Sequence, residues 1–285
     1  MIPMDIQKGE KSILEIKELM DDLNVVFFLR HGTCLGAVRD GQLIPWDDDI
    51  DIGSIIGMNN LDEKSISKII DSFKLNGFET VVSESPFHIS VSLSKSGIPI
   101  DWTCYKIRQG YIYQYPAVKI PVNIYDDLKP IPFLGTTFFV PNPPEKYLSL
   151  KYGSEWKIPK KTGYENDIIK SIPKSVIPEQ PSIFTRIHKF LFPNKYITKI
   201  RILNNENKPV KLANVTLVGL NQCTTNHQGY AEFDLLIKDW YAVIIEKGKE
   251  KEILYEEILK PGSNYYYLPD KNKTSGRTYI LKEES

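Results

Sequence analysis

His31-Gly32-Thr33-Cys34-Leu35-Gly36-Ala37-Val38-Arg39 is followed a short way on by Ile44-Pro45-Trp46-Asp47-Asp48-Asp49-Ile50-Asp51-Ile52. Asp47, Asp48, Asp49 and Asp51 have nothing basic beside them, so at neutral pH they repel one another unless a cation neutralises them. In an extended segment, alternation would put Asp47, Asp49 and Asp51 on one face and Ile50 and Ile52 on the other, one face for binding and one for packing. Hard carboxylate oxygens without a neighbouring His or Cys suit Mg²⁺ or Mn²⁺ better than zinc. A calcium loop of the EF-hand kind fails, because Ile52 stands where its turn glycine belongs and Met58 where its bidentate Glu belongs. A merely solvated acidic loop is the plain competitor. Trp46, Ile50 and Ile52 argue instead for a strand entering a core.

Upstream, Val25-Val26-Phe27-Phe28-Leu29 reads as a buried strand, and Gly32-Thr33 breaks it into the short helical stretch Cys34 to Val38. Amides exposed at such a helix start favour a phosphate, with Gly32 and Thr33 seating it and Thr33 capping the helix or donating its hydroxyl. Arg39 is the expected bidentate partner for the same anion.

The continuous block His31 to Gly53 resembles the signature of the LicD/fukutin family of nucleotidyltransferase-fold enzymes. Phe139-Val140-Pro141-Asn142-Pro143 through Tyr147-Leu148, and Tyr152-Gly153-Ser154-Glu155-Trp156, are similar to that family's downstream motif. The resemblance covers roughly the first 160 residues. It implies transfer of phosphocholine or an alditol or glycerol phosphate from CDP-choline, CDP-ribitol or CDP-glycerol to a hydroxyl of a glycan or lipid-linked glycan, releasing CMP. At His31 the chain departs from the family's usual small or polar residue, so His31 is left outside the expected catalytic set.

The nucleotidyltransferase fold also uses a third carboxylate on a neighbouring strand, and Ile98-Pro99-Ile100-Asp101-Trp102-Thr103-Cys104-Tyr105 offers Asp101. His88 to Ser94 alternates and ends at Lys95-Ser96-Gly97, a hairpin turn. With Ser96 and Gly97 as the loop, Ser92 faces Asp101, Ser90 faces Thr103 and His88 faces Tyr105. An edge strand with its acid in water is the alternative that Pro99 keeps open. His88 itself reads as a satisfied sheet-surface histidine. The expected site is therefore Asp49, Asp51 and Asp101, with Asp47 adding charge, on Mg²⁺ or Mn²⁺. Gly32, Thr33 and Arg39 are on the donor phosphates, and Asp101 is the general base.

Equal numbers of basic and acidic residues, 36 each, leave no net field for nucleic acid, which is not an expected partner. The start Met1-Ile2-Pro3-Met4-Asp5 has no basic or apolar leader, and no later stretch is apolar for the ~20 residues of a membrane helix, so a cytoplasmic location is expected. Cys34, Cys104 and Cys223 lack metal or CxxC spacing and read as reduced packing residues.

Glu10 to Leu23 carries Ile13, Ile16, Met20 and Leu23 at helical spacing, and Asp62 to Leu75 repeats the pattern with a stop at Asn76-Gly77. The expected fold class is α+β: a nucleotidyltransferase-like mixed sheet with flanking helices over residues 1–178, then a linker at 179–195, then a small all-β sandwich at 196–285. Between Ile107 and Phe138, aromatics interleaved with prolines suggest that part of the stretch is loop. These tyrosines, with Trp46, Trp102 and Tyr105, are candidates for an aromatic cage around choline. Lys146, Lys151 and Lys157 are candidates for phosphates against a default of solvated lysines.

Pro173, Pro178 and Pro181 mark the linker, and Ile183 to Phe192 is basic and amphipathic. Packing against the catalytic domain is the expected use of that helix, with peripheral membrane contact the second. Beyond Tyr196 short strands are expected at Thr198 to Leu203, Val215 to Leu220, Tyr230 to Leu235, Trp240 to Ile245 and Asn264 to Leu268. The stretch from Ala213 to Ala231 loosely resembles carboxypeptidase-regulatory or transthyretin-like modules.

Overall fold

The structure, a computed structural model, describes residues 2–173, 176, 183–270 and 276–284. It divides into one unit of residues 1–113 and 119–159 and a second of 114–118 and 160–285.

In the first unit α1 (Ile6–Asp22) begins where the Asp5 carboxylate accepts the Lys8 N–H at 3.2 Å, and its stripe Ile13, Ile16 and Met20 is buried. β1 (Phe28–Leu29), α2 (His31–Arg39), β2 (Ile50–Ile55), α3 (Glu63–Leu75), β3 (Glu79–Glu84), β4 (His88–Lys95) and β5 (Ile98–Tyr105) follow. They build one mixed sheet in the order β1-β2-β5-β4-β3, parallel between β2 and β5 and antiparallel elsewhere. Every residue of β2 is buried, as a strand covered on both faces requires. α3 is capped by Asp62, whose carboxylate accepts the Ser65 N–H at 2.7 Å, and buries Ile66, Ile69, Ile70 and Phe73. Phe73 meets Trp102 with ring centroids 5.9 Å apart, and the Trp102 indole N–H donates to Ser54 Oγ at 3.1 Å. Trp102 is thus a satisfied core residue, not a cage wall.

The β4–β5 hairpin has the expected register: His88 opposite Tyr105, Ser90 opposite Thr103 and Ser92 opposite Asp101. Its loop residues Ser96 and Gly97 both have positive φ, 55° and 79°, which matches the strand twist of a two-residue turn.

Two expectations for this unit change. The strand foreseen at Val25 to Leu29 is ladder-paired only at Phe28 and Leu29. The acidic run is not one alternating strand: Asp47, Asp48 and Asp49 precede β2 in a turn, and only Asp51 is on the strand. The stretch Ile107 to Phe138, expected to be loop in part, also holds strands: β6 (Tyr111–Gln114), β7 (Val118–Pro121), β8 (Lys129–Phe133) and β9 (Thr136–Val140) in two separate two-stranded ribbons. Such ribbons have only edges, where the missing N–H of Pro121, Pro130 and Pro132 is tolerated. α4 (Pro144–Tyr152) closes the unit, burying Tyr147, Leu148 and Lys151.

The second unit opens with α5 (Tyr164–Ser171) and α6 (Ile183–Leu191). The change of unit falls between Pro159 and Lys160, ahead of the expected 178, because Tyr164 on α5 packs on Tyr255 at 6.1 Å between centroids. Pro178 and Pro181 lie outside the described residues. Then come β10 (Ile197–Ile202), β11 (Asn214–Leu217), β12 (Asn221–Thr224), β13 (Tyr230–Asp234), β14 (Asp239–Lys247), β15 (Glu250–Leu259), β16 (Asn264–Tyr267), β17 (Arg277–Thr278) and β18 (Lys282–Glu283). A sheet β13-β10-β16-β18 and a sheet β12-β11-β14-β15-β17 share one core that includes Ile200, Val215, Phe233, Val243, Leu254 and Tyr265. β15 was not foreseen, since its glutamates mask the strand pattern. Two of them are satisfied by the fold: Glu252 accepts from Arg277 Nε at 2.9 Å, and Glu257 accepts the Ile280 and Leu281 N–H groups at 2.8 and 2.9 Å.

Gly53 lies opposite Phe28, and a Cβ there would sit 2.8 Å from the Phe28 ring, itself held 4.8 Å from Tyr125 between centroids. Gly53→Ala should therefore cost about 1–3 kcal/mol, read from urea denaturation. A shift below ~0.5 kcal/mol would show that the Phe28 pocket yields.

Candidate functional site

Arg30 leaves β1 in an extended conformation and is the residue from which α2 starts. It is only 3% exposed, so its charge must be matched by neighbours. Its Nε donates to the Ile52 carbonyl at 2.9 Å, and its Nη2 reaches the Asp101 carboxylate at 2.6 Å and the Asp51 carboxylate at 3.0 Å. The parallel register of β2 and β5 sets Asp51 directly beside Asp101, which gives one guanidinium two carboxylates. Burial opposes the Arg30 charge, but Tyr105, Asp51 and Asp101 outweigh it and hold its pKa well above the ordinary value.

The start of α2 is bound into the same group. Thr33 Oγ1 accepts the Asp51 N–H at 2.8 Å, and the Gly32 N–H bonds the Asp51 carboxylate. His31 has φ 43°, donates its N–H to Tyr147 Oη at 3.0 Å, and sets its ring Nδ1 3.6 Å from Asp51. A Cβ on Gly32 would lie 2.0 Å from Asp47 Oδ2, so only glycine lets that carboxylate approach the helix start.

Asp47, Asp48 and Asp49, all half-buried, bring one carboxylate oxygen each to within 4.8 Å of one another. Burial, then Asp51 and Asp48, push the Asp47 carboxyl up to about 7. Burial with Asp51 and Asp47 drives Asp49 well above its ordinary value, and burial raises Asp51 to about 6 against the pull of Arg30. Protein cations therefore do not fully offset this charge. An all-oxygen set of mutually repelling carboxylates matches the donors that a hard divalent cation takes.

The expected residues do not all arrive together. Asp47, Asp49, Asp51 and Asp101 form a continuous chain of interacting carboxylates, and Asp48 joins the cluster at the turn. Asp101 already accepts from Arg30 and, at 2.8 Å, from Ser90 Oγ. The Thr33 side chain is buried and spent on the Asp51 amide, so it neither caps α2 nor faces outward. Arg39 forks onto Asp40 at 2.9 and 2.7 Å from the last turn of α2, about 10 Å of helix rise beyond Gly32. The central cation is Arg30, which sequence reasoning missed. Its signal was a lone arginine at the end of an apolar strand, a charge that must find carboxylates inside the fold. Lys151, expected in solvent by default, is 3% exposed and its charge acts on Asp51. Tyr105, a cage candidate, is buried beside Arg30. His88 is the satisfied histidine foreseen, with Nδ1 3.2 Å from Ser85 Oγ. Cys34 and Cys104 are buried free thiols whose pKa values burial raises, which makes them poor nucleophiles.

Residues 24–143, which hold all of these carboxylates, match the family described as LicD/FKTN/FKRP, nucleotidyltransferase domain. Over these residues the first unit is similar to a LicD-family nucleotidyltransferase domain. A human ribitol 5-phosphate transferase, FKRP, is 27% identical over 147 residues, covering 47% of this chain and 29% of that protein. Human ribitol-5-phosphate transferase FKTN is 28% identical over 174 residues, covering 55% of this chain and 35% of that protein. The uncharacterized protein RP689 of Rickettsia prowazekii is 30% identical over 146 residues, covering 49% of this chain and 51% of its own. The chain thus spans about a third of the length of the two human transferases.

In the first unit, Arg30→Met should destabilise by about 3–5 kcal/mol, because Asp51 and Asp101 lose their shared cation, whereas Arg39→Met should cost much less. Equal losses in urea would contradict the central place of Arg30. Burial, then the Arg30 charge, lowers the His88 pKa to about 4 from 6.5. Its neutral form is the one that folds, so its contribution is complete above pH 6.5 and is lost as pH falls to about 4. His88→Gln should flatten the stability profile in that window by on the order of 1–2 kcal/mol, and an unchanged slope would remove His88 from the acid response.

Proposed function

We propose that the chain is a divalent-metal-dependent phosphotransferase that moves a phospho-substituent from a CDP-linked donor to a glycan hydroxyl and releases CMP. The observation that carries this reading is the chain of carboxylates from Asp47 to Asp101, seated against the start of α2 within residues that match the LicD family model, where burial and mutual repulsion raise the pKa values of Asp47, Asp49 and Asp51. The names of the two human relatives support ribitol 5-phosphate as the transferred group, ahead of phosphocholine and glycerol phosphate.

Asp47, Asp48 and Asp49 would hold Mg²⁺ or Mn²⁺, with Asp51 contributing charge behind them. Such a cation, when bound, offsets negative charge on a pyrophosphate and steadies the departing phosphate. The protein's own part is to keep the carboxylates where they are. Arg30 fixes Asp51 and Asp101 on adjacent strands, the Gly32 amide holds Asp51, and the bare Cα of Gly32 leaves room for Asp47. In the reaction an acceptor oxygen bonds to phosphorus in line as the phosphorus–oxygen bond to CMP breaks. Asp101, with 34% of its side chain open, takes the acceptor's proton. The aromatic-cage reading for choline loses Trp102 and Tyr105, which are buried at 0% and 2% exposure.

Incubating the purified chain with CDP-ribitol, CDP-choline or CDP-glycerol and a glycan acceptor, with and without Mg²⁺ or Mn²⁺, should give metal-dependent CMP from one donor. Asp49→Asn should lower that rate by roughly 100-fold or more without loss of fold. Gly32→Ala, which pushes the flexible Asp47 carboxylate aside, should weaken Mn²⁺ binding in calorimetry with little change in thermal stability. Pyrophosphate release from a nucleoside triphosphate in place of CMP, or full activity in Asp49→Asn, would overturn the reading.

A further inference from the structure

α6 is mounted inside out. Ile183, Phe184, Ile187, Phe190 and Leu191 fall at the i, i+1, i+4, i+7, i+8 positions of one helical stripe, the pattern that in a globular unit faces the core. Here none of the helix is buried: Ile183 is 75% exposed, Phe184 87%, Phe190 86% and Leu191 60%. Phe192, just beyond, is 48% exposed. The polar side of the helix is the one turned to its own unit. Lys189 pairs with Asp234 at the end of β13, and His188 Nδ1 lies 2.9 Å from Tyr196 Oη with its ring against Phe192 and Tyr196. Within its own unit, ion pairing and ring contacts hold the polar face of the helix and leave the apolar stripe uncovered.

Charge identifies the occupant. From Ile183 to Asn205 the chain holds Arg186, Lys189, Lys195, Lys199 and Arg201 and no acid, within a protein whose formal net charge is zero. Arg186 is exposed on the flank of the apolar stripe, and Lys195 reaches over the Phe192 ring at 5.0 Å. Aromatic and branched apolar side chains projecting outward beside exposed cations are the two components that bind a helix flat to an anionic bilayer surface. No helix among the described residues is long and apolar enough to cross a membrane.

We propose that α6 is a lipid-surface anchor, inserting Phe184, Ile187, Phe190 and Leu191 among the acyl chains of an anionic bilayer while Arg186 and Lys195 meet its headgroups. This stands independently of the catalytic reading. The full chain should co-sediment with phosphatidylcholine vesicles containing phosphatidylglycerol and far less with phosphatidylcholine alone. The double variant F184E/F190E, altered only at exposed positions, should lower partitioning by at least ~tenfold at unchanged melting temperature. Phe184→Trp should blue-shift in fluorescence on the anionic vesicles. Partitioning unaffected by F184E/F190E would overturn the proposal. So would an absence of vesicle binding, including the case where a dimer dissociates in that variant and a second copy covers the face.

Discussion

One guanidinium shared by two carboxylates governs the first unit. Arg30 is almost wholly buried and bonds Asp51 and Asp101 at once, and those acids stand side by side only because β2 and β5 run parallel in register. A one-residue slip of either strand would turn one acid to the opposite sheet face and leave a buried cation half-matched, at a cost of several kcal/mol. The ion pairing thus enforces the register as much as the register permits the ion pairing. The Ile52 carbonyl, accepting from Arg30 Nε, ties the same side chain to the strand backbone. A buried pair of this kind is weak evidence of net stability, since desolvation offsets most of its attraction. Its consequence is placement: two carboxylates held at a fixed spot beneath the acidic turn.

Around that spot the chain accumulates negative charge beyond what its cations offset. Arg30 and Lys151 act on Asp51, yet Asp47, Asp49 and Asp51 all remain above their ordinary pKa values. A turn serving only to join α2 to β2 would gain nothing from three adjacent aspartates that oppose one another's ionisation. On the proposed reading a divalent cation relieves that repulsion, and the missing side chain of Gly32 is what lets Asp47 lie close to the start of α2.

Short-range pattern carried much of this architecture. Asp62 with the Ile66 to Phe73 stripe, and Ser96-Gly97 between alternating runs, each combine a local stop or turn with a period, so the capped helix and the hairpin register are readable without tertiary knowledge. Asp101 stood out as an acid inside an apolar strand, sought because the resembled fold uses a third carboxylate, and counting across the hairpin gave its partner Ser92. What escaped depended on partners distant in sequence. Arg30 is conspicuous only once Asp51 and Asp101 are beside it. Arg39 looked available until its neighbour Asp40 took it. Lys151 belongs to the site only because α4 folds back on α2. The acidic run misled in a subtler way, since period-two alternation was applied across the turn that precedes β2. β15 hid because Glu252 and Glu257, polar by type, are buried by Arg277 and by two backbone amides.

The overall charge of zero conceals how unevenly the charges are placed. At the acidic turn, negative groups gather with no base adjacent in sequence, and the cations that reach them are Arg30, at the start of α2, and Lys151 of α4. Along α6 and into β10 the reverse holds: cations gather with no acid, and the acids that meet Lys189 and Lys199 come from β13. In both places folding supplies part of the missing charge and leaves part unmet. The unmet part has the sign of what could bind there, a divalent cation at the turn and an anionic surface at the helix. Field strength falls within about 8–10 Å at physiological salt, so each cluster acts on its own surroundings and the total is no guide to either.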